Sequence, residues 1–384
     1  MSAMIDDGVS RRAFLAAACA AGSMLISGEW LRAAESLAAR GSDPRLAQIK
    51  RANIIIDMHN HIFSGAGGLG VPMTPPPGAE PRPPLQLAEE MRKAGFAAVV
   101  AGYKIPFDAK ARPGETNEKF LAWLTTMDAA LAAGGLKRAL TLKDLEAAHR
   151  RGTPTVVQSI EGAQFIEGRL ERIEVGYKRG LRHLQPLHDN DDPVVPQADL
   201  DTRPAHLGGL TPFGADIIRE CNRLGILVDL AHAAPETILA ATRVATRPFI
   251  MSHVGFDYPV DENQRLYNVV KPRRLTRERA RVIAEQGGVI GVWVYLARSP
   301  KEYVDDVMHM VDAAGIDHVG IGSDTDLLSP GVGNTNSAWP GMTAGFFDVV
   351  AMEMLSRGFT PADIAKFGGG NYCRVFDRAT SGRA

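Results

Sequence analysis

Cysteine is scarce in this chain: three in 384 residues, at Cys19, Cys221 and Cys373. Their wide separation excludes a disulfide scaffold and the paired thiols of a zinc knuckle or redox motif. Neither sign of charge is in excess, with 43 Lys+Arg against 44 Asp+Glu. The basic residues are spread along the chain and the aromatics form no base-stacking pattern, so there is no footprint for nucleic acid. Past residue 45 no apolar run approaches the roughly 20 residues that a spanning helix needs, and no internal repeat is visible. What remains is ordinary globular composition, 45% hydrophobic and 23% charged, in a chain long enough to bury a large core.

The N-terminus reads as an address. Ser10-Arg11-Arg12-Ala13-Phe14-Leu15 opens a lysine-free, moderately apolar stretch to about Ile26 that resembles a twin-arginine export signal. Ala16 stands where a lipobox wants a larger aliphatic residue, which argues against a lipid anchor at Cys19. Cleavage is expected after Trp30, so residues 1–45 are taken as export signal and linker and residues 46–384 as the folded part. The expected location is the periplasm, and the expected helper is the twin-arginine machinery.

From Ile54 onward short apolar runs alternate with longer amphipathic stretches, as in a parallel sheet with crossover helices. Strands are expected at Ile54 to Met58, Ala97 to Tyr103, Thr155 to Ile160, Leu181 to Leu187, Ile226 to Leu230, Phe249 to Ser252, Gly288 to Val294 and His318 to Gly322. Thr211-Pro212 supplies a capping hydroxyl and a first-turn proline, and Gly225 closes the same helix; Gly95, Gly180 and Gly315 end others. Eight such units predict an α/β fold of the TIM (β/α)8 barrel kind, with an open doubly wound sheet as the competing arrangement. Pro186 cannot donate to a ladder and belongs at the end of the fourth run. Two long loops, Gly65 to Pro84 and Ser329 to Thr343, follow strands and would overhang the catalytic face of a barrel.

Chemistry begins at Asp57-Met58-His59-Asn60-His61, where residues two apart on a strand share a face and can close on one cation. Glu161, His188, His232, His253 and Asp324 each follow a different strand. In a barrel those C-terminal ends converge on one mouth, so side chains scattered over some 270 positions can meet. His149, His183, His206, His309 and His318 fall in helices, in loops or at strand starts and are read as structural or solvated.

With Asp57-Met58-His59, Ser159-Ile160-Glu161-Gly162, Asn222-Arg223-Leu224-Gly225, Val228-Asp229-Leu230-Ala231-His232, Ser252-His253, Gly320-Ile321-Gly322-Ser323-Asp324 and Gly369-Gly370-Asn371-Tyr372-Cys373-Arg374-Val375-Phe376 in this order, the chain resembles the membrane (renal) dipeptidase family of zinc peptidases. The resemblance implies two Zn2+ ions bridged by Glu161, one completed by His59 and His61, the other by His232 and His253. It implies that His188 steadies the substrate oxygen, that Asp324 manages the proton, and that Arg273 grips a terminal carboxylate, with Arg274 and Arg265 close enough to compete. The family's first motif usually ends in Asp where this chain has His61, which removes one negative charge from the metal's surroundings. Pro186 is a second departure, where a smaller polar residue is usual.

The reaction this implies is hydrolysis of a dipeptide by water activated between two cations. Three other readings compete: a nuclease or phosphoesterase barrel, an amidohydrolase acting on N-acyl amino acids or lactones, and a periplasmic metal- or substrate-binding protein without turnover. An amidohydrolase would want a carboxylated lysine, but no lysine follows a suitable strand; Lys104, after the second run and not the third or fourth, is the only candidate worth testing. The expected partner is a small-molecule substrate, with a homodimer compatible and no nucleic acid.

Overall fold

Among the described residues of the computed structural model, nine parallel strands begin where the first apolar run ends: β1 (Ile56–Asn60), β2 (Ala98–Lys104), β3 (Thr155–Glu161), β4 (Leu181–Gln185), β5 (Leu227–Val228), β6 (Ile250–Phe256), β7 (Arg274–Leu275), β8 (Val289–Val292) and β9 (Val319–Ile321). The described residues are 43–62, 87–104, 111–188, 196–202, 204–258, 270–295, 297–328 and 333–381. The export-like segment, the Gly65 to Pro84 loop and Arg265 lie outside them, as do residues 329–332 of the second long loop.

Two sheets run β1-β2-β3-β4-β5 and β7-β6-β8-β9. Parallel bridges join them, Asp229 to Ile250 on one side and Asn60 to Thr325 on the other. With those seams the chain closes an eight-stranded barrel, and β7, which the sequence pattern does not predict, adds two residues beside the end of β6. β1 begins and ends two residues later than the expected Ile54 to Met58, and the later end brings His59 into the strand. β4 ends at Gln185, one residue before Pro186, as the missing donor requires.

Helices cover the outside. The helix Pro212–Leu224 is capped by Thr211, whose side chain accepts from Gly214 N, and ends at Gly225 in the left-handed region. Gly95, Gly180 and Gly315 also take positive φ just after helices, the conformation that costs glycine least. Leu184, Val228 and Ile290 pack outward in the layer between strands and helices. A second cluster, from Ile56, Met58, Val100, Val157, Leu227 and Ile250 to Tyr372 and Phe376 of the helix Asn371–Thr380, packs separately from it. The barrel is therefore a filled core with chemistry confined to its C-terminal rim.

Two irregularities shape that rim. β1 takes three steps from Asp57 to Asn60 while β2 takes two, from Val99 to Ala101. β6 likewise takes three from Met251 to Val254 against two in β8, from Ile290 to Val292. Each bulge holds one histidine, His59 and His253, and a bulge re-aims a side chain that plain alternation would place elsewhere.

Candidate metal centre

Four buried imidazoles meet around one carboxylate. Glu161, the last residue of β3, lies between two histidine pairs: its Oε2 is 3.8 Å from His59 Nε2 and 3.9 Å from His61 Nε2. Its Oε1 is 3.2 Å from His232 Nε2 and 3.7 Å from His253 Nε2. Within each pair the Nε2 atoms are 3.2 Å apart. A tetrahedral cation held at roughly 2.0–2.1 Å by each nitrogen spaces its ligands by about 3.3 Å, so both pairs match the edge of such a site. Glu161 Oε2 is buried with no hydrogen-bond partner among the described residues. An acceptor left so in a dry core is costly, and a cation would satisfy it.

Three further groups border this set. Asp324 Oδ1 lies 2.6 Å from His61 Nε2 and 3.7 Å from His59 Nε2. His188 Nε2 is 3.5 Å from Glu161 Oε1. Arg273 Nη2 comes within 2.6 Å of His232 Nε2, with its guanidinium 5.2 Å from the Trp293 ring centre. Arg274 is buried, donates to Phe256 O and stacks on Tyr258, so of the two adjacent arginines only Arg273 reaches the centre. Lys104 ends β2 in register with Glu161 and is half-buried.

His232 and Asp324 adopt positive φ, 70° and 54°. For residues with a Cβ that conformation is strained, and such strain gathers at sites whose surroundings over-determine it. Gly102 leaves room for His59: a Cβ there would lie 2.9 Å from His59 Cε1.

The electrostatics suit metal uptake. Burial drives His59 down to about 4 and His253 well below the usual imidazole range. Burial alone would raise Glu161 and Asp324, but the surrounding imidazoles, chiefly His188 for Glu161 and His253 for Asp324, outweigh it and hold both carboxyls well below their ordinary range. Ionised carboxylates are the ligand state that metals require, and burial favours the matching neutral imidazole at His59 and His253. Among the described residues three triads have donor atoms close enough to share an ion: His59 with His61 and Asp324, Glu161 with His188 and His232, and His59 with Asp229 and His253.

Sequence reasoning missed the supports beneath this layer. Ser252 Oγ lies 2.8 Å from His253 Nδ1 and 3.5 Å from His59 Nδ1. Asp57 accepts from Ser323 N and Oγ, Asn60 Nδ2 and His59 N, tying β1 to the residues after β9. Burial nonetheless raises its carboxyl to about 6. Ser252 directly precedes the predicted ligand His253 and Asp57 lies two residues before His59; both stand in the motifs quoted above, but without a role assigned to them.

A closed parallel barrel whose mouth carries imidazole pairs around a carboxylate defines the class of metal-dependent barrel proteins. Within that class, the model of the membrane dipeptidase family, peptidase family M19, matches residues 83–383, and the chain belongs to that family. An uncharacterized dipeptidase of Schizosaccharomyces pombe is 31% identical over 196 residues, 49% of this chain and 45% of that protein. The chain spans about half the length of the curated relatives it matches. Among solved structures, the probable dipeptidase PvdM of Pseudomonas aeruginosa superposes with a TM-score of 0.69 at 19% identity, covering 89% of this chain and 98% of that one. A metallopeptidase of Rhodobacter sphaeroides liganded with a phosphinate mimic of L-Ala-D-Ala gives 0.65 at 21% identity, over 85% and 99%. These likenesses show the barrel fold. The family is metal-dependent, and this chain retains groups able to hold metal.

Proposed function

We propose that this protein is a dipeptidase that holds two Zn2+ ions, one with His59, His61 and Glu161 and the other with Glu161, His232 and His253. The observation that carries the reading is the division of the Glu161 carboxylate, one oxygen toward each histidine pair. When bound, the ions lower the pKa of water toward neutrality and polarise a carbonyl oxygen.

The chain's own groups supply the rest. Asp324, held ionised beside His61, accepts a proton at a carboxylate oxygen and returns it to the leaving amine. His188 donates from its imidazole to the oxygen of the scissile carbonyl as charge develops there. Arg273 offers a two-pronged grip for a substrate carboxylate at the rim. A substrate with a free terminal acid one residue from the scissile bond is a dipeptide or a related N-acyl amino acid. The L-Ala-D-Ala mimic held by the Rhodobacter sphaeroides neighbour supports that class. The twin-arginine pattern supports export of the folded, metal-loaded enzyme to the periplasm.

Glu161→Ala tests the reading. The variant is expected to fold, to lose its bound metal as read by elemental analysis, and to hydrolyse no dipeptide. Full activity would remove Glu161 from the centre.

A further inference from the structure

A buried pair lies below the metal centre that the reaction does not use. His183, in the middle of β4, and Asp229, one residue past β5, are both fully buried, with His183 Nε2 3.0 Å from Asp229 Oδ2. An isolated ion pair in a dry core is weak evidence for stability, because apolar residues of similar volume pack as well or better. Its other contacts point to a different role.

Asp229 Oδ1 accepts the backbone N–H of Ala231 at 3.0 Å and of Ser252 at 2.9 Å. Ala231 immediately precedes His232, and Ser252 immediately precedes His253. One carboxylate therefore ties together the two chain segments that carry the second histidine pair, where β5 and β6 are otherwise joined by a single bridge, Asp229 to Ile250. The seat of His253 is doubly held, since the hydroxyl of the same Ser252 also meets its Nδ1. Asp229 stands close enough to His59 and His253 for their donor atoms to fall within 4.8 Å of one another, so its charge lies behind both imidazoles.

We propose that His183 is a positioning residue for the metal centre: by donating to Asp229 Oδ2 it orients the carboxylate whose Oδ1 clamps the segments bearing His232 and His253. The proposal rests on the reading that those two histidines hold an ion. Histidine suits the place because its ring carries an N–H donor far enough from the backbone to cross from β4 to β5. Losing such an outer partner typically costs about 10- to 100-fold in metal affinity.

The test uses the whole enzyme, stripped with a chelator and titrated with Zn2+ against a chromophoric competitor, together with thermal unfolding of the stripped protein. His183→Leu is expected to weaken the ion held by His232 and His253 about 10- to 100-fold and the other ion by less. His183→Gln, whose amide can reach the same oxygen, is expected to recover most of the loss. Should His183→Leu fail to fold, His183→Asn, polar but too short to span to Asp229, is read in the same way. If the variant binds both ions as the parent does and only its melting temperature falls, His183 is a packing residue and the proposal is overturned. A parent that binds no ion, or a Glu161→Ala variant that keeps two, overturns the reading of the centre itself.

Discussion

Adding one methyl group at Gly102 tests the geometry of the centre without substituting any proposed ligand. Built on the backbone of β2, that carbon would lie 2.9 Å from His59 Cε1 and 3.3 Å from Nε2. Carbon–carbon contacts settle at about 3.5–4.0 Å, so the methyl intrudes by roughly 0.6–1 Å. The ring has little freedom to yield, because His253 lies against it with centroids 3.9 Å apart and His61 meets it edge-on at 4.7 Å. Overpacking of this kind costs about 1–3 kcal/mol, and the lower unfolded-state entropy of Ala offsets about 0.4–1 kcal/mol of that. Gly102→Ala should therefore fold with a net loss of at most about 2.5 kcal/mol. The larger effect falls on the site, since metal ligands tolerate only about 0.2 Å of misplacement. Zinc affinity should drop about 10- to 100-fold, and kcat/KM for a dipeptide by roughly a hundredfold. Chelator competition and steady-state kinetics on the purified variant measure both. A folded Gly102→Ala protein with parental zinc affinity and turnover would refute the placement of His59 across β2.

Three more perturbations separate the parts. Arg273→Met should raise KM for free-acid dipeptides more than for their C-terminal amides; an equal rise for both would remove Arg273 from carboxylate binding. Ser252→Ala strips the partner from His253 Nδ1 and should weaken zinc binding about 10-fold or more, read by the same competition assay, with parental affinity as the refuting result. Asp306, buried in the helix Pro300–Ala314 against Tyr258 and Arg274, has its carboxyl raised by burial from 3.8 to about 6. A raised folded pKa penalises the ionised form, so above pH 6 Asp306 opposes folding by about 3 kcal/mol. That penalty fades as pH falls from about 6 toward 3.8. Asp306→Asn should accordingly raise the melting temperature at pH 8 and give little gain near pH 4. An equal gain at both values would show that burial of the charge is not the cause.

Much of the site was legible because barrel topology turns sequence order into spatial convergence. His59, Glu161, His188, His232, His253 and Asp324 were each picked out by their place at the end of an apolar run, and the structure brings all six to one rim. The same rule passed over His183. Its place inside a run, five residues before His188, marked it as structural, and only the fold shows that Asp229 faces it from the next strand.

The two bulges were illegible for a related reason. Alternation by two is a property of a single strand, whereas an extra residue is defined only against the strand beside it. Hence neither the inward turn of His59 nor that of His253 could be read before β2 and β8 were in register with their neighbours. The choice between Arg273 and Arg274 was also beyond sequence, since two adjacent residues share every local signal. The short strand β7 decides it by burying Arg274 against Phe256 and Tyr258 while Arg273 reaches the centre.

The chain's own order of residues determined the kind of fold, the glycine stops of its helices and the donor types available at the rim, because periodicity, capping and side-chain chemistry are local properties. Tertiary structure alone decided which oxygen of Glu161 faces which histidine pair, which arginine reaches them and what holds them from below. Those depend on distances between segments that are remote along the polymer, and such distances exist only once the barrel has closed.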